Sequence, residues 1–211
     1  ETPSPRPRPY VLFAGRLTTT KGLQTVLPLF RSRPDIGLVV AGDGEMAETL
    51  RAHSAGAPNI VFPGQVRADV LRTWYRHAIA LLVPSQVYEV GPLVALEAFA
   101  QGTPVVGRAQ GGLADIVRES GGGLLFDSDH ELSAAIDGLV SNPDRRREIG
   151  RDALTVCRQV AEDEACGRTP RRMCPLNTAG RCGLHSHRLM ICRLHGVPHE
   201  LRFPDGTVSR G

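Results

Sequence analysis

Lysine is nearly missing from this 211-residue chain: Lys21 stands alone against 24 arginines. In so biased a sequence an incidental surface cation would be arginine, so the one lysine favours a task suited to a compact ammonium. No apolar run approaches the roughly 20 residues that a membrane helix needs. The opening ETPSPRPRPY offers no apolar stretch for a signal peptide either. A membrane-spanning helix and a secretion signal are thereby excluded from the expectation, and the compartment it favours is the cytoplasm. Cysteine is absent before Cys157, while Cys166, Cys174, Cys182 and Cys192 crowd into the tail. Such clustering without a secretion signal reads as metal binding or free thiols before it reads as disulfides.

What is present divides unevenly. Hydrophobic residues make up 41% of the chain, enough for a real core. Residues 1–9, with Pro3, Pro5, Pro7 and Pro9, read as a stiff Pro/Arg linker cut from something longer. Residues 10–164 form the expected domain. Residues 165–211 carry 8 basic and 2 acidic side chains, whereas the preceding part carries 17 basic and 20 acidic.

Between Tyr10 and Asp127, short β-branched runs alternate with helical segments. The runs are YVLFAG, IGLVVAG, NIVFPG, IALLVPS, TPVVG and GGLLFD. The helices between them are expected near Lys21 to Arg33, Glu45 to His53, Ala68 to His77, Pro92 to Gln101 and Leu113 to Arg118. Two more should follow, over Asp129 to Val140 and Asp144 to Asp163, the first ended by Asn142-Pro143. Continuous apolar strands separated by helices describe an α/β, doubly wound, mostly parallel Rossmann-like sheet covered on both faces. Ligands of such sheets bind outside the carboxyl ends of the strands. Nearly every such end carries glycine or charge: Gly15-Arg16 through Lys21-Gly22, Gly42-Asp43-Gly44-Glu45, Gly64-Gln65-Val66, Pro84 through Glu89, and Gly107 to Gly112.

Arg16 and Lys21 could grip a diphosphate from the first strand end, or be an ordinary surface pair flanking a loop. In PSQVYEVGPLVALEAFAQGTPVV, Gly91 suits a helix cap and Pro92 the first turn, leaving the amides of Leu93 and Val94 to face an anion. Glu89 lies on the loop leading in and Glu97 in the second turn, and two carboxylates beside an anion seat suit a ribose and a sugar. The plainer alternative makes Glu97 an electrostatic helix cap and Glu89 a solvated loop residue.

The E-x(7)-E spacing from Glu89 to Glu97, with GRLTTTKG and VVAGDGE upstream, resembles the donor-binding half of family 4 retaining glycosyltransferases of the GT-B fold. The resemblance covers residues 10–160. It implies that Glu97 holds the ribose hydroxyls, Glu89 contacts the donor sugar, and Arg16 and Lys21 neutralise the diphosphate. The backbone near Val66 would meet the base, and Gly15, Gly91, Leu93 and Val94 would complete the nucleotide-sugar site. Many members have Phe-Gly where this chain has Gly91-Pro92, and proline cannot donate an amide. The resemblance further implies metal-independent transfer from a UDP-, GDP- or ADP-sugar, and an acceptor-binding domain that precedes this half. Without that domain the chain is expected to be inactive, and peripheral membrane contact through it stays open.

In the tail, CPL-x(4)-GRCGLHSHRLMICRLHG resembles the second half of cysteine-cluster proteins described as zinc- or iron-chelating. That resemblance implies Zn or Fe on Cys174, Cys182 and Cys192, although Leu189 replaces an expected proline and the dense upstream cysteine motif is absent. The alternative is a basic tail without a site. Nucleic-acid binding is not expected, because Phe203 is the tail's one aromatic and stacking is nearly unavailable. A non-catalytic nucleotide-sugar-binding module is the remaining alternative for the domain.

Overall fold

The computed structural model describes residues 9–89 and 92–165, with side chains as far as Arg158, and in the tail only short backbone strands. Six parallel strands form one sheet: β1 (Tyr10–Ala14), β2 (Gly37–Ala41), β3 (Ile60–Gly64), β4 (Leu81–Val83), β5 (Val105–Arg108) and β6 (Gly123–Phe126). Their order is β3-β2-β1-β4-β5-β6. The helices are α1 (Leu23–Ser32), α2 (Ala47–His53), α3 (Ala68–His77), α4 (Leu93–Ala100), α5 (Gly111–Ser120), α6 (Asp129–Ser141) and α7 (Pro143–Ala165). The tail contributes two antiparallel pairs, β7 (Asn177–Thr178) with β8 (Arg181–Cys182) and β9 (Glu200–Arg202) with β10 (Val208–Arg210).

The inner strands β1, β2 and β4 are apolar throughout because both faces are covered. Along β1, Val11 and Phe13 enter a core with side chains of α1, α2 and α6, while Tyr10, Leu12 and Ala14 enter a second core with those of α3, α4, α5 and α7. Strand geometry sends successive side chains to opposite faces, so a continuous apolar run is what two helical layers require. Helix starts follow local chemistry. Ser128 and Glu131 form a reciprocal capping box on α6, and Asn142 Oδ1 accepts from the Arg145 amide 2.9 Å away at the start of α7.

Helix boundaries differ from expectation most tellingly at three places. The segment expected as one helix from Lys21 begins as a 3₁₀ turn over Thr19–Lys21, and α1 starts only after Gly22 at φ 71°. Pro92 is the N-cap of α4, with an extended backbone at φ −75° and ψ 108°, so the helix opens at Leu93 and Pro92 is not in its first turn. The reason is local, since Pro92 lacks an amide and loses nothing by standing outside the helical ladder. The short helix expected over Leu113 to Arg118 runs longer, from Gly111 to Ser120.

Asn59 closes α1 from below. It is buried, and its Nδ2 donates to the carbonyls of Phe30 at 2.7 Å, Ile36 at 2.9 Å and Arg33 at 3.0 Å. These carbonyls lie at or just past the helix end, where intrahelical donors run out. Removing the amide leaves the Phe30 and Arg33 carbonyls with the backbone donors of Arg33 and Ile36 alone, and takes from the Ile36 carbonyl its buried side-chain donor. Asn59→Ala is therefore expected to lower unfolding free energy by about 2 kcal/mol, read from urea denaturation. A loss under about 0.5 kcal/mol, the scale of an ordinary surface substitution, would remove Asn59 from this role.

Candidate functional site

Strand order reverses between β1 and β4, which lie side by side while α1 and α4 leave them toward opposite faces. A crevice opens at that point in any doubly wound sheet. Here the two loops that border it touch. A Cβ placed on Gly22 would stand 2.0 Å from the Pro84 carbonyl oxygen, and the Gln86 amide donates to the Thr20 carbonyl at 2.8 Å. Only a glycine satisfies both the left-handed backbone and this approach.

The contact brings together two residues 68 positions apart. Lys21 Nζ donates to Glu89 Oε1 at 2.8 Å, with side chains 34% and 19% exposed. The buried Ser85 hydroxyl donates to the same oxygen at 2.6 Å. Glu89 is also held by its backbone, whose carbonyl accepts from the Gly112 amide at 2.8 Å in the first turn of α5. Glu89 is thus a fixed carboxylate with one oxygen doubly engaged, and not a solvated loop residue. Among the described residues its Oε2 has no hydrogen-bond partner. An ammonium carries three donors, so Lys21 keeps donors beyond the one that Glu89 takes.

Glu97 lies in the second turn of α4, exposed, and accepts at Oε2 from the Tyr75 hydroxyl 3.0 Å away. Leu93 and Val94 are the first two residues of α4, where helix geometry leaves amides without intrahelical acceptors, and the N-cap residue, Pro92, makes no side-chain bond to them. Arg16 is exposed, and among the described residues no hydrogen bond or ion pair engages its guanidinium. The loop that carries it is braced from behind. Gly15 donates to Ala41 and Leu17 to Asp43, while Leu17 accepts from Met46. A Cβ on Gly42 would stand 1.9 Å from the Gly15 carbonyl oxygen, and one on Gly44 2.5 Å from that of Leu17. The Gly42-Asp43-Gly44 run therefore serves as the brace of the Arg16 loop. Val66 is half-buried between β3 and α3 and packs on the second core.

Sequence reasoning missed three contributors. Ser85 and Tyr75 each hold one of the glutamates. Arg108, at the end of β5, lies over the Phe126 ring at 5.0 Å and donates to Thr25 Oγ1 at 3.2 Å, setting a third cation near the start of α1. Only Ser85 left a signal, as the lone hydroxyl closing the β4 run. Gly91 lies outside the described residues, as do Cys174, Cys192 and the side chain of Cys182. Among the described residues no group of three His, Cys, Asp or Glu side chains could hold a metal ion, and no helix is long and apolar enough to cross a membrane. A groove of about 480 Å³ along α1 and α2, lined by Gln24, Leu27, Pro28, Arg31, Ser32 and His53, contains none of the expected site residues.

The model of the family described as glycosyl transferases group 1 matches residues 1–155. A D-inositol 3-phosphate glycosyltransferase of Xylanimonas cellulosilytica is 34% identical over 168 residues, covering 74% of this chain and 40% of its own. Among solved structures, a sucrose-phosphate synthase of Thermosynechococcus elongatus superposes with TM-score 0.66 at 30% identity, covering 75% of this chain and 43% of its own. The HepE protein of Anabaena, solved with UDP-glucose, superposes with TM-score 0.65 at 21% identity over 76% of this chain and 49% of its own. The chain thus spans less than half the length of each of these relatives. The family match stops at residue 155, and the resemblance drawn for the tail has no support in these matches.

The Gly22 contact is open to test. Gly22→Ala combines a left-handed alanine, about 1 kcal/mol, with a clash against backbone, for a total loss expected near 3 kcal/mol. Gly56→Ala is the control, because Gly56 has φ 79° but nothing within 4 Å of its would-be Cβ. Equal losses in the two variants, measured by urea denaturation, would show that the approach to Pro84 imposes no constraint.

Proposed function

The chain belongs to the glycosyl transferases group 1 family, and from that premise we propose that it is the donor-binding part of a retaining enzyme moving a hexosyl group from a nucleoside-diphosphate sugar. The observation that carries the reading is the Lys21–Glu89–Ser85 cluster at the sheet's switch point, beside the start of α4, the helix that bears Glu97. It sets a cation and a fixed carboxylate at the crevice, with Glu89 four positions ahead of the first residue of α4.

The roles follow from charge. Transfer breaks the bond between the anomeric carbon and the diphosphate oxygen, and forms one from that carbon to an acceptor oxygen, whose proton passes to the departing diphosphate. Negative charge grows on the departing diphosphate. Arg16, Lys21 and the α4 terminus with Leu93 and Val94 would stabilise that charge more in the transition state than in the ground state. No metal is required when cations and a helix terminus do this. Glu89, one oxygen committed to Lys21 and Ser85, would offer the other to a sugar hydroxyl, orienting the ring without attacking it. Glu97 would take the ribose, and the backbone at Gly15 and Val66 would border the diphosphate and the base.

An acceptor-binding domain closing on this face fits one further observation. The large apolar side chains left exposed among the described residues are Val87, Tyr88 and Leu93, all flanking Glu89. Exposed apolar residues within four positions of one carboxylate suit a segment that another surface covers. The plainer alternative, a nucleotide-sugar-binding module without turnover, uses the same crevice and lacks that closing domain.

Titrating the chain with UDP, GDP and ADP by calorimetry tests the binding reading. Selective binding of one nucleotide, weakened about tenfold or more in Glu97→Ala, is the expected result. Affinity for all three that ignores Glu97 would sink it. In the enzyme with its acceptor domain, Arg16→Ala and Lys21→Ala should lower kcat far more than they raise KM, with Lys21→Ala the worse because it also releases Glu89. Equal changes in kcat and KM would argue for ground-state binding alone.

A further inference from the structure

We propose that Tyr75 is a positioning residue for the nucleoside end of the site, acting through its hydroxyl on Glu97. The inference rests on the donor-site reading of Glu97 and adds a residue outside the motifs from which that reading came. Its basis is the 3.0 Å bond from the Tyr75 hydroxyl to Glu97 Oε2 and the rigidity of the post behind it.

Tyr75 is 1% exposed, its ring packed in the second core with Phe99 and Trp74. Its main-chain carbonyl accepts from the buried Thr103 hydroxyl at 2.8 Å. The next residue ties α3 to the end of α4, because Arg76 Nε donates to Gln101 Oε1 at 2.8 Å. Two helices are thus locked together where Tyr75 reaches across. Glu97, in contrast, is an exposed side chain with several rotatable bonds, and an exposed glutamate samples many rotamers unless something selects one.

The phenol is suited to be that selector. Burial, the nearby Glu97 charge and the hydrogen bond to it all hold its pKa well above the ordinary tyrosine value. It therefore stays protonated and acts as a donor through the physiological range. A hydroxyl that only donates to one carboxylate oxygen turns the carboxylate plane toward one direction. A vicinal diol presented by a ribose can then be met without freezing the side chain at the moment of binding, which is preorganisation in the ordinary sense.

The test uses the whole chain with UDP, GDP and ADP and their 2′,3′-dideoxy analogues, titrated by calorimetry. Wild type, Tyr75→Phe, Glu97→Gln and the double variant form a cycle. Tyr75→Phe keeps the ring and the core, so its thermal midpoint should stay close to wild type. It should weaken the preferred ribonucleotide about fivefold and the dideoxy analogue less than about twofold, and add nothing once Glu97 is replaced. An equal loss for both nucleotides, or a loss that persists in the Glu97→Gln background, would make Tyr75 mere structural support and overturn the proposal. A wild-type chain that binds ribo and dideoxy forms alike, or none of the six, would overturn the reading of Glu97 itself, and this inference with it. A second measurement leaves Tyr75 intact. In Glu97→Gln the tyrosine titration that Tyr75→Phe removes should shift to lower pH, by absorbance, relative to wild type, and an unchanged position for it would show that the contact is not made.

Discussion

The close approach of Gly22 to the Pro84 carbonyl is the constraint on which the rest of the site depends. Two parallel strands that send their helices to opposite faces leave a crevice between their following loops, and nothing in that topology says how wide it is. Here the width is set by the absence of a side chain. Because the loop after β1 lies flush on the loop after β4, Lys21 and Glu89 meet at hydrogen-bond distance instead of facing each other across water. The same left-handed glycine ends the 3₁₀ turn that carries Lys21 and starts α1, so one backbone conformation orients both a cation and a helix.

The ion pair itself contributes modestly to folding. Both partners are partly exposed, and pairs of that kind are worth about 1 kcal/mol or less. Its significance is geometric, since a carboxylate oxygen shared by an ammonium and a buried hydroxyl has little freedom to turn. A compact ammonium suits this place better than a guanidinium. It can hold Glu89 through one donor and keep others for a neighbouring anion, whereas a planar fork would tend to engage the carboxylate along a whole edge. A chain that uses arginine almost everywhere else keeps its one lysine at the point where that difference matters.

How much of this was legible in the sequence depended on how local the cause was. Strands covered on both sides must be apolar at every position, so YVLFA and GLVVA declared themselves. The alternation with helices then left few topologies to choose from. The glutamate pair and the single lysine were visible as chemistry out of place. Boundaries set by one contact at a distance were not. Gly22 read as the second residue of a helix because its close neighbour, Pro84, lies 62 positions on. The Gly42-Asp43-Gly44 run read only as a glycine-bearing strand end, and the requirement for glycine where Gly42 passes Gly15 and Gly44 passes Leu17 was not visible. Tyr75 was invisible for a similar reason, since one aromatic on an amphipathic helix reads as core until its hydroxyl is seen against Glu97.

The two glutamates, equivalent by spacing, are held by opposite strategies. Glu89 sits on a loop, and its fixation comes from three directions: the Lys21 ammonium, the Ser85 hydroxyl and the Gly112 amide on its own carbonyl. Glu97 sits on a helix, whose backbone is already rigid, and needs only its side chain aimed. The difference follows from what each element lacks. A loop carboxylate must have both backbone and head group tied before its position carries information, while a helical one starts from a fixed backbone and here gains a donor from a neighbouring helix. That donor comes from α3, whose terminal residues bind the end of α4 through Thr103 and Gln101. A change at the α3–α4 contact would therefore reach Glu97 while leaving the Lys21–Glu89 cluster in place, so the two glutamates are separable in their supports.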